Sequence, residues 1–309
     1  LAFFTNSILL RKILPAGAAL AEGSHPEAGL LGGYLTVDMP PIMGVMTALL
    51  MAFVIGIGIA VVEGTTLKNF MNEIQTIVEK IITNIIIPFL PLYIAGIFAN
   101  MTYAGEIVKI MSVFAKVFGI IIILHFVILL VQYTIAGTLA GANPILLIRK
   151  MLPAYFTAIG TQSSAATIPV TLKQTKENGV NEGIADFTIP LCATIHLSGS
   201  TITLVSCSMA VMMLHGMPIT FSGMFGFILM LGVTMVAAPG VPGGAVMAAL
   251  GLLESMLGFG PELTSLMIAL YLTQDSFGTA CNVTGDGAIS IIVNRIAGFK
   301  LIPPKKEEV

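Results

Sequence analysis

Charge is what this 309-residue sequence has least of. Only 10% of its residues are charged, whereas 56% are hydrophobic. A soluble domain carries roughly 25% charged residues, so this chain has too few polar side chains to cover a water-exposed surface. The shortage predicts a polytopic helical membrane protein. The net charge of −2 also excludes a basic nucleic-acid-binding surface, so no nucleic-acid partner is expected.

Cysteine is scarce as well. The three cysteines, Cys192, Cys207 and Cys281, all lie in apolar segments. Their spacing matches neither a metal site nor a disulfide framework. We therefore interpret them as small buried packing residues.

Apolar sequence, by contrast, is abundant. Runs near 44–62, 79–101 and 109–137 have about the 20 residues that a helix needs to cross a bilayer. A loop rich in Gly, Ala and Glu precedes them, and the polar stretch 63–75 interrupts them. The sequence starts with Leu1 rather than Met, and we expect that an N-terminal portion precedes it.

Beyond residue 144 the apolar segments become short and are broken by Gly, Ser, Thr and Pro. Lys or Arg residues flank both ends of segment 151–172, and basic residues favour the cytoplasmic side of a membrane. Each limb of this segment has about ten residues, half of a membrane span at 1.5 Å per residue, which predicts a re-entrant hairpin. Segment 221–259 repeats the pattern without basic flanks, as expected for a hairpin that enters from the opposite face.

With the apolar segments 183–214 and 263–298, the region reads hairpin, span, hairpin, span, in two inverted halves. Inverted repeats with interrupted helices indicate a secondary transporter whose site lies at the repeat interface. The predicted fold is an all-α polytopic membrane protein with two inverted re-entrant hairpins and interrupted transmembrane helices. An ordinary bundle with Gly and Pro kinks is the alternative. The predicted domains are scaffold helices and linking spans (1–144), a transport core (145–298) and a cytoplasmic tail (299–309).

Two carboxylates stand out in the last apolar segment. Asp275 and Asp286 are eleven residues apart, so on a continuous helix they share a face and lie about 16 Å apart. An ionised carboxylate in a membrane costs several kcal/mol unless it is paired, and no Lys or Arg occurs between residues 177 and 294. We predict a bound cation at Asp286 and a substrate ammonium group at Asp275. The alternative is a solvated or protonated carboxylate without a ligand.

His196 and His215 are the only histidines that we expect near the polar segments of the predicted transport core. His215 ends an apolar segment and is interpreted as interfacial. His196 lies in a central break, where we favour a neutral, hydrogen-bonded side chain over a proton carrier, although its ordinary pKa range permits proton coupling.

Four polar breaks carry a resemblance to a known family. They are "GTQSSAAT" (160–167), "CATIHLSGS" (192–200), "APGVPGG" (238–244) and "DSFGTACNVTGD" (275–286), which ends in the motif "NVTGD". In order and spacing they resemble the motifs of the dicarboxylate/amino acid:cation symporter family, the glutamate-transporter type, over about residues 40–298. The resemblance implies a symporter, not an enzyme, that works as a homotrimer in the cell membrane, with the bacterial inner membrane as the expected location.

The resemblance also implies functional residues. One sodium site would use Asp286 with the main-chain carbonyls of Cys192, His196 and Asn282. A second would use the Thr194 carbonyl with carbonyls of 235–238. The implied substrate site comprises the first-hairpin serines, the second-hairpin tip and one face of the last helix: Ser163, Ser164, Ser200, Val241, Pro242, Asp275, Gly278, Thr279 and Asn282.

The sequence departs from the family pattern in three places: at residues 196–198, at residue 200 and at residue 278. His196-Leu197-Ser198 stands where the family has Asn-Met-Asp, which removes a carboxylate of a third sodium site. Ser200 stands where the family has a threonine. Gly278 replaces the arginine that holds the side-chain carboxylate of acidic substrates, whereas Asp275 is present. These departures favour symport of a small neutral amino acid with Na⁺ or H⁺. Symport of a dicarboxylate or acidic amino acid is the alternative.

Two other classes also place polar groups in the membrane. An intramembrane aspartyl protease needs two aspartates that share one proton across a few ångströms, which residues three turns apart on one helix cannot do. A passive channel is the second class. The two opposed hairpins favour gates on both sides, and therefore a transporter, over a channel.

Overall fold

The computed structural model describes residues 1–13, 45–81, scattered positions between 84 and 103, and 107–302. Over these residues all regular structure is helical and no strand occurs, which confirms the predicted all-α class. The predicted span 79–101 and the Gly-, Ala- and Glu-rich loop lie mostly or entirely outside the described residues. So does the predicted tail beyond residue 302.

The helices of the described residues are numbered here in chain order. Most are short, because Gly, Pro and polar residues end them; the two longest of those described, α4 and α13, have 34 and 22 residues. The helices are α1 (Ala2–Ile13), α2 (Val45–Val62), α3 (Thr65–Ile81), α4 (Ile107–Ala140), α5 (Pro144–Lys150), α6 (Leu152–Thr161), α7 (Ser164–Glu177), α8 (Glu182–Ile195), α9 (Ser198–Leu214), α10 (Phe221–Met235), α11 (Gly244–Leu257), α12 (Pro261–Leu272) and α13 (Asp275–Ile296).

The predicted spans 44–62, 109–137 and 183–214 coincide with α2, with α4 and with the consecutive helices α8 and α9. In the polar stretch 63–75, which we expected to interrupt the spans, the apolar helix α2 has ended and residues 65–75 form the first part of helix α3. Its apolar residues Leu67, Phe70, Ile74 and Ile77 recur with the period of a helix, so the segment forms an amphipathic helix despite its charges.

Helix α13 lies at the centre of the fold. It contacts α4, α6, α7, α8, α9 and α12, so six of the described helices touch it. Small residues on α13 allow these neighbours to approach closely, and Gly285 and Gly287 leave no room for a Cβ beside the side chains of Gln132 and Tyr133. The two predicted aspartates therefore stand on a helix that other helices enclose.

Helices α1 and α4 fall within the predicted scaffold segment 1–144, yet they pack on the 145–298 core. The Asn6 side chain donates a buried hydrogen bond to Ser206 Oγ on α9 (2.7 Å). The Tyr133 hydroxyl on α4 donates to the carbonyl of Thr284 on α13 (2.7 Å). Packing is therefore continuous across the predicted boundary at residue 144.

Two pairs of helices run antiparallel. In the first, α6 and α7 contact each other, and Lys150 Nζ donates to the carbonyl of Glu177 (2.8 Å), which brings the outer ends of the pair together. In the second, α10 contacts α11, and Gly226 on α10 lies beside Met256 near the end of α11. Each pair therefore has a tip, at 162–163 and at 236–243 respectively.

The outer surface of the described helices is strongly apolar. On α4, Ile123, Phe126 and Ile135 are each at least 50% exposed, whereas the opposite face is buried. Two stretches, Met111–Ala140 and Glu182–Leu214, are long and apolar enough to cross a membrane. An exposed apolar face of this extent indicates contact with lipid or with another chain rather than with water.

Candidate functional site

Three of the four predicted polar breaks coincide with helix ends: 162–163 between α6 and α7, 196–197 between α8 and α9, and 236–243 between α10 and α11. The fourth lies earlier than expected. The chain breaks at Thr273 and Gln274, and residues 275–286 form the first half of α13. Asp275 and Asp286 therefore stand on one continuous helix, about 16 Å apart along its axis.

Ser163 joins the tips of the two helix pairs. It is the N-cap of α7, where its Oγ accepts from the Ala166 amide (3.2 Å). The same hydroxyl donates to the carbonyl of Gly240 in the second tip (2.7 Å). The preceding residue, Gln162, has a left-handed backbone (φ 52°), which turns the chain sharply enough to present Ser163.

The second tip also reaches α8 and α13. A Cβ placed on Gly240 would lie 3.2 Å from the carbonyl of Ala193 near the end of α8. Gly243, with φ 73°, donates its amide to Asp275 Oδ2 (2.7 Å). Val241 and Pro242 between them are partly exposed. The second tip thus touches the first tip, α8 and α13, so the four breaks converge.

Asp275 is only 4% exposed and is the first residue of α13. No Lys or Arg forms an ion pair with it in the described part of the chain. The Tyr271 hydroxyl faces Asp275 and Ser200 but makes no hydrogen bond to any described residue. Tyr271 was missed from the sequence, since an aromatic residue in an apolar helix is ordinarily part of the core.

Asn282 holds α9 against α13. Its Oδ1 accepts from the amides of Gly199 (2.7 Å) and Ser200 (3.3 Å), and its Nδ2 donates to Ser200 Oγ (2.9 Å). The first amides of a helix lack partners within the helix, so Asn282 satisfies two of them. Two predicted substrate residues, Ser200 and Asn282, are thus brought together and bonded to each other.

The remaining predicted substrate residues on α7 and α13 are Ser164, Gly278 and Thr279. Ser164 and Thr279 are buried, and a Cβ on Gly278 would lie 3.5 Å from Ser200 Oγ. Gly278 therefore leaves open the space beside Ser200 in which a side chain from α13 would otherwise stand.

A second polar network surrounds Asp286, which is 1% exposed. Its Oδ1 lies 2.8 Å from His196 Nδ1, and His196 Nε2 lies 3.2 Å from Gln132 Nε2 on α4. With the proton on Nδ1, His196 donates to Asp286 and accepts from Gln132, so the hydrogen-bonded histidine that we favoured is found. Gln132 also lies 3.5 Å from Ser198 Oγ. Sequence reasoning missed Gln132, which is one polar residue in a long apolar helix.

The expectation that only His196 and His215 lie near this region is wrong. His125 on α4 is 2% exposed, and its Nε2 lies 3.1 Å from both the Gly199 carbonyl and Thr203 Oγ1. It therefore anchors α4 to the start of α9. An isolated histidine in an apolar run gave no sign of this role.

The end of α8 offers main-chain oxygens, which the predicted cation site requires. The last carbonyls of a helix lack intrahelical partners, and α8 ends at Ile195. The Cys192 carbonyl accepts the amide of His196 (2.8 Å). The described residues contain no group of three or more His, Cys, Asp or Glu side chains that could hold a metal. A cation near Asp286 would therefore depend on carbonyl oxygens, as the predicted sites do. The Thr194 side chain is exposed, and only its carbonyl enters the prediction.

Comparison with known proteins gives one family. Residues 4–296 match the sodium:dicarboxylate symporter family. The serine/threonine transporter SstT of Acinetobacter baumannii is 30% identical over 244 residues, which cover 77% of this chain and 60% of that protein. Excitatory amino acid transporter 1 of Ambystoma tigrinum is 26% identical over 256 residues (81% and 46%), and that of Mus musculus 26% over 244 residues (77% and 44%). The chain thus spans less than two thirds of the first relative and less than half of the other two. All are transporters rather than enzymes.

Proposed function

Because the chain belongs to the sodium:dicarboxylate symporter family, we propose that it forms the transport core of a cation-coupled symporter for a small neutral amino acid. The names of the serine/threonine transporters, which match at up to 30% identity, agree with that substrate class. Transport by alternating access would carry the amino acid and the cation together.

The observation that carries this proposal is the environment of Asp275. Its carboxylate is buried, touches the second tip through Gly243, and has no basic partner in the described residues. A buried carboxylate needs a countercharge, and a substrate ammonium group supplies one. The substrate carboxylate would meet the helix start at Ser163, where amides and the helix dipole attract an anion.

The substrate side chain would lie beside Ser200 and Gly278. Ser200 Oγ and the space left by Gly278 suit a small or hydroxyl-bearing side chain, whereas a second carboxylate would find no cation there. Serine, alanine and threonine fit this description. Ser164, Val241, Pro242, Thr279 and Asn282 complete the proposed substrate site.

We assign the coupling cation to the end of α8. Asp286 would contribute the carboxylate, and Cys192, His196 and Asn282 would contribute carbonyls. A second site would use the Thr194 carbonyl and carbonyls of 235–238. Oxygen ligands of this kind suit Na⁺, the ion in the family's name, and H⁺ is the alternative. A bound cation would neutralise Asp286, which is otherwise held only by His196 among the described contacts.

The two helix pairs would act as re-entrant hairpins, and the second tip would act as the outer gate. The 145–298 core would move against a scaffold supplied partly by the preceding helices. A homotrimer in the bacterial inner membrane is the assembly that the resemblance implies. The exposed apolar helices α2 and α4 offer the surfaces for such contacts with lipid or neighbouring chains.

Uptake by the reconstituted full-length protein tests the function. We expect labelled serine, alanine or threonine to accumulate in proteoliposomes when a sodium gradient is imposed. Accumulation that does not depend on the sodium gradient but does depend on a proton gradient would exclude Na⁺ as the coupling ion. Unsaturable flux that never exceeds equilibrium would indicate a channel and contradict the proposal.

The family's name and the excitatory amino acid transporters favour a second candidate, symport of a dicarboxylate or acidic amino acid. Competition separates the two substrate classes. Unlabelled alanine should block serine uptake, while succinate and aspartate at the same concentration should not. Strong competition by succinate would favour the second candidate.

A further inference from the structure

A cleft lies at the end of the bundle where the basic residues gather, far from the convergent tips. It has a volume of about 590 Å³ and is formed by the end of α4, by α5, by the end of α13 and by the chain that follows α13. None of the residues assigned to the substrate or cation sites lines it.

Three basic residues, Lys150, Arg295 and Lys300, line this cleft, and no Asp or Glu does. None of the three forms an ion pair within the described residues. Lys150 donates one hydrogen bond to the main-chain carbonyl of Glu177, which holds the ammonium group at the cleft (2.8 Å). Three cations without a carboxylate produce a site for an anion, and phosphate groups are the anions that Arg and Lys bind best.

A buried acceptor in the same cleft adds a second requirement. Asn178 is 2% exposed and lines the cleft, and its Nδ2 donates to the Leu147 carbonyl (3.2 Å). Its Oδ1 has no hydrogen-bond partner among the described residues. A buried acceptor without a partner costs free energy, so a ligand that brings a hydroxyl donor would be favoured over one that does not.

The rim of the cleft is apolar. Leu139 and Leu146 line it and are 47% and 56% exposed, and Leu139 continues the apolar outer face of α4. A free phosphate ion would bury none of the apolar surface of this rim. An acyl chain attached to the phosphate would bury the rim, which contributes about 25 cal/mol of binding free energy per Å² of apolar surface.

We propose that this cleft binds the headgroup of an anionic glycerophospholipid that carries a hydroxyl group, as phosphatidylglycerol does. Lys150, Arg295 and Lys300 hold the phosphate, Asn178 Oδ1 accepts the headgroup hydroxyl, and the acyl chains run along the leucines. Basic pockets at the cytoplasmic ends of membrane helices suit anionic lipid headgroups.

Native mass spectrometry of the full-length protein in detergent tests the proposal, with phosphatidylglycerol, phosphatidic acid and phosphatidylcholine added in turn. We expect phosphatidylglycerol to bind most tightly and phosphatidylcholine least. The double variant Arg295→Gln/Lys300→Gln should weaken phosphatidylglycerol binding at least about tenfold. The matched control Arg149→Gln/Lys173→Gln removes the same charge at the same end of the bundle but outside the cleft, and should change binding less than about twofold.

The single variant Asn178→Ala removes the acceptor proposed for the headgroup hydroxyl, together with the bond to the Leu147 carbonyl, and retained binding of phosphatidic acid shows that the cleft itself stays intact. The variant should abolish the preference for phosphatidylglycerol over phosphatidic acid, which lacks the headgroup hydroxyl, while leaving phosphatidic acid bound. An equal loss of lipid in the two double variants would overturn the proposal, because it would show general surface attraction. Binding of inorganic phosphate or glycerol phosphate as tight as that of the lipid would overturn it as well.

Discussion

Asp275 and Asp286 stand on the same helix and are almost equally buried, yet their partners differ in kind. Asp275 accepts a hydrogen bond from the Gly243 amide in the tip of a helix pair. Asp286 is bonded to His196, which in turn contacts Gln132 on α4. One carboxylate is held by backbone at a loop, and the other by a chain of side chains between packed helices.

The difference agrees with the two tasks that we propose for this helix. Loops are less strongly held than packed helices, so the partner of Asp275 is the one suited to move aside for a guest. The partners of Asp286 are fixed by α4 and by the end of α8. We therefore assign recognition of the cargo to the first carboxylate and retention of the cation to the second.

The largest effect is expected from Asp275→Asn. The asparagine oxygen still accepts from Gly243, but the charge that meets an ammonium group is gone, and hydrogen bonds to charged groups contribute about 1.5–3 kcal/mol. Uptake of serine in proteoliposomes should fall about 10- to 100-fold in kcat/KM. Any dicarboxylate uptake should persist.

Asp186→Asn serves as the control, because Asp186 is exposed and pairs with Lys176 at the bundle end. It should leave uptake unchanged. Undiminished amino-acid uptake by Asp275→Asn would remove Asp275 from the substrate site.

Asp286→Asn tests whether the two carboxylates serve different sites. Loss of this charge should raise the cation concentration that gives half-maximal uptake about tenfold or more. At saturating cation, the KM for serine should change much less than it does in Asp275→Asn. The measurement is serine uptake across a series of sodium concentrations. Parallel shifts in both variants would mean that the two carboxylates serve one site.

Gly199→Ala tests the close packing of α9 against α13. A Cβ at Gly199 would lie 2.5 Å from the Gly278 carbonyl and 2.6 Å from Cys281 Cβ, so α9 and α13 would have to separate. Overpacking of this kind costs about 1–3 kcal/mol, and the thermal unfolding midpoint in detergent should fall. Gly232→Ala is the matched control, because no atom lies within 4 Å of its Cβ position. A midpoint that falls equally in both variants would refute the packing argument.

The smallest effect is expected from Tyr271→Phe. Its hydroxyl faces Asp275 and Ser200 without a hydrogen-bond partner in the described chain, so its removal should not lower stability. If the hydroxyl contacts a bound substrate, the KM for serine should rise between about two- and tenfold. An unaltered KM would assign Tyr271 to packing alone.

Much of the architecture could be predicted because helix breakers are local signals. Gly240, Gly243 and the polar run around Ser163 lie between helices, as predicted, so three of the four breaks could be located from the sequence. The fourth was misplaced, since Asp275 and Asn282 look like loop residues until their neighbours are known. Helix α3 was not predicted within the polar stretch 63–75, because its charged residues conceal a helical period.

The partners of the candidate site were much harder to predict. Gln132 and His125 lie on α4, far earlier in the chain than His196 and Gly199, which they contact. A single polar residue in an apolar helix gives no periodicity, and its partner is set by tertiary packing alone. The same limit applies to Asn282, for which a role in capping α9 has no signature in the local sequence.

The bond from Ser163 to Gly240 bears on the proposed binding of a substrate carboxylate at Ser163. The Ser163 hydroxyl has one proton, so it can donate to the Gly240 carbonyl or to a substrate carboxylate, but not to both. Under the proposed function, the substrate would therefore replace the bond between the two tips rather than add a hydrogen bond to it.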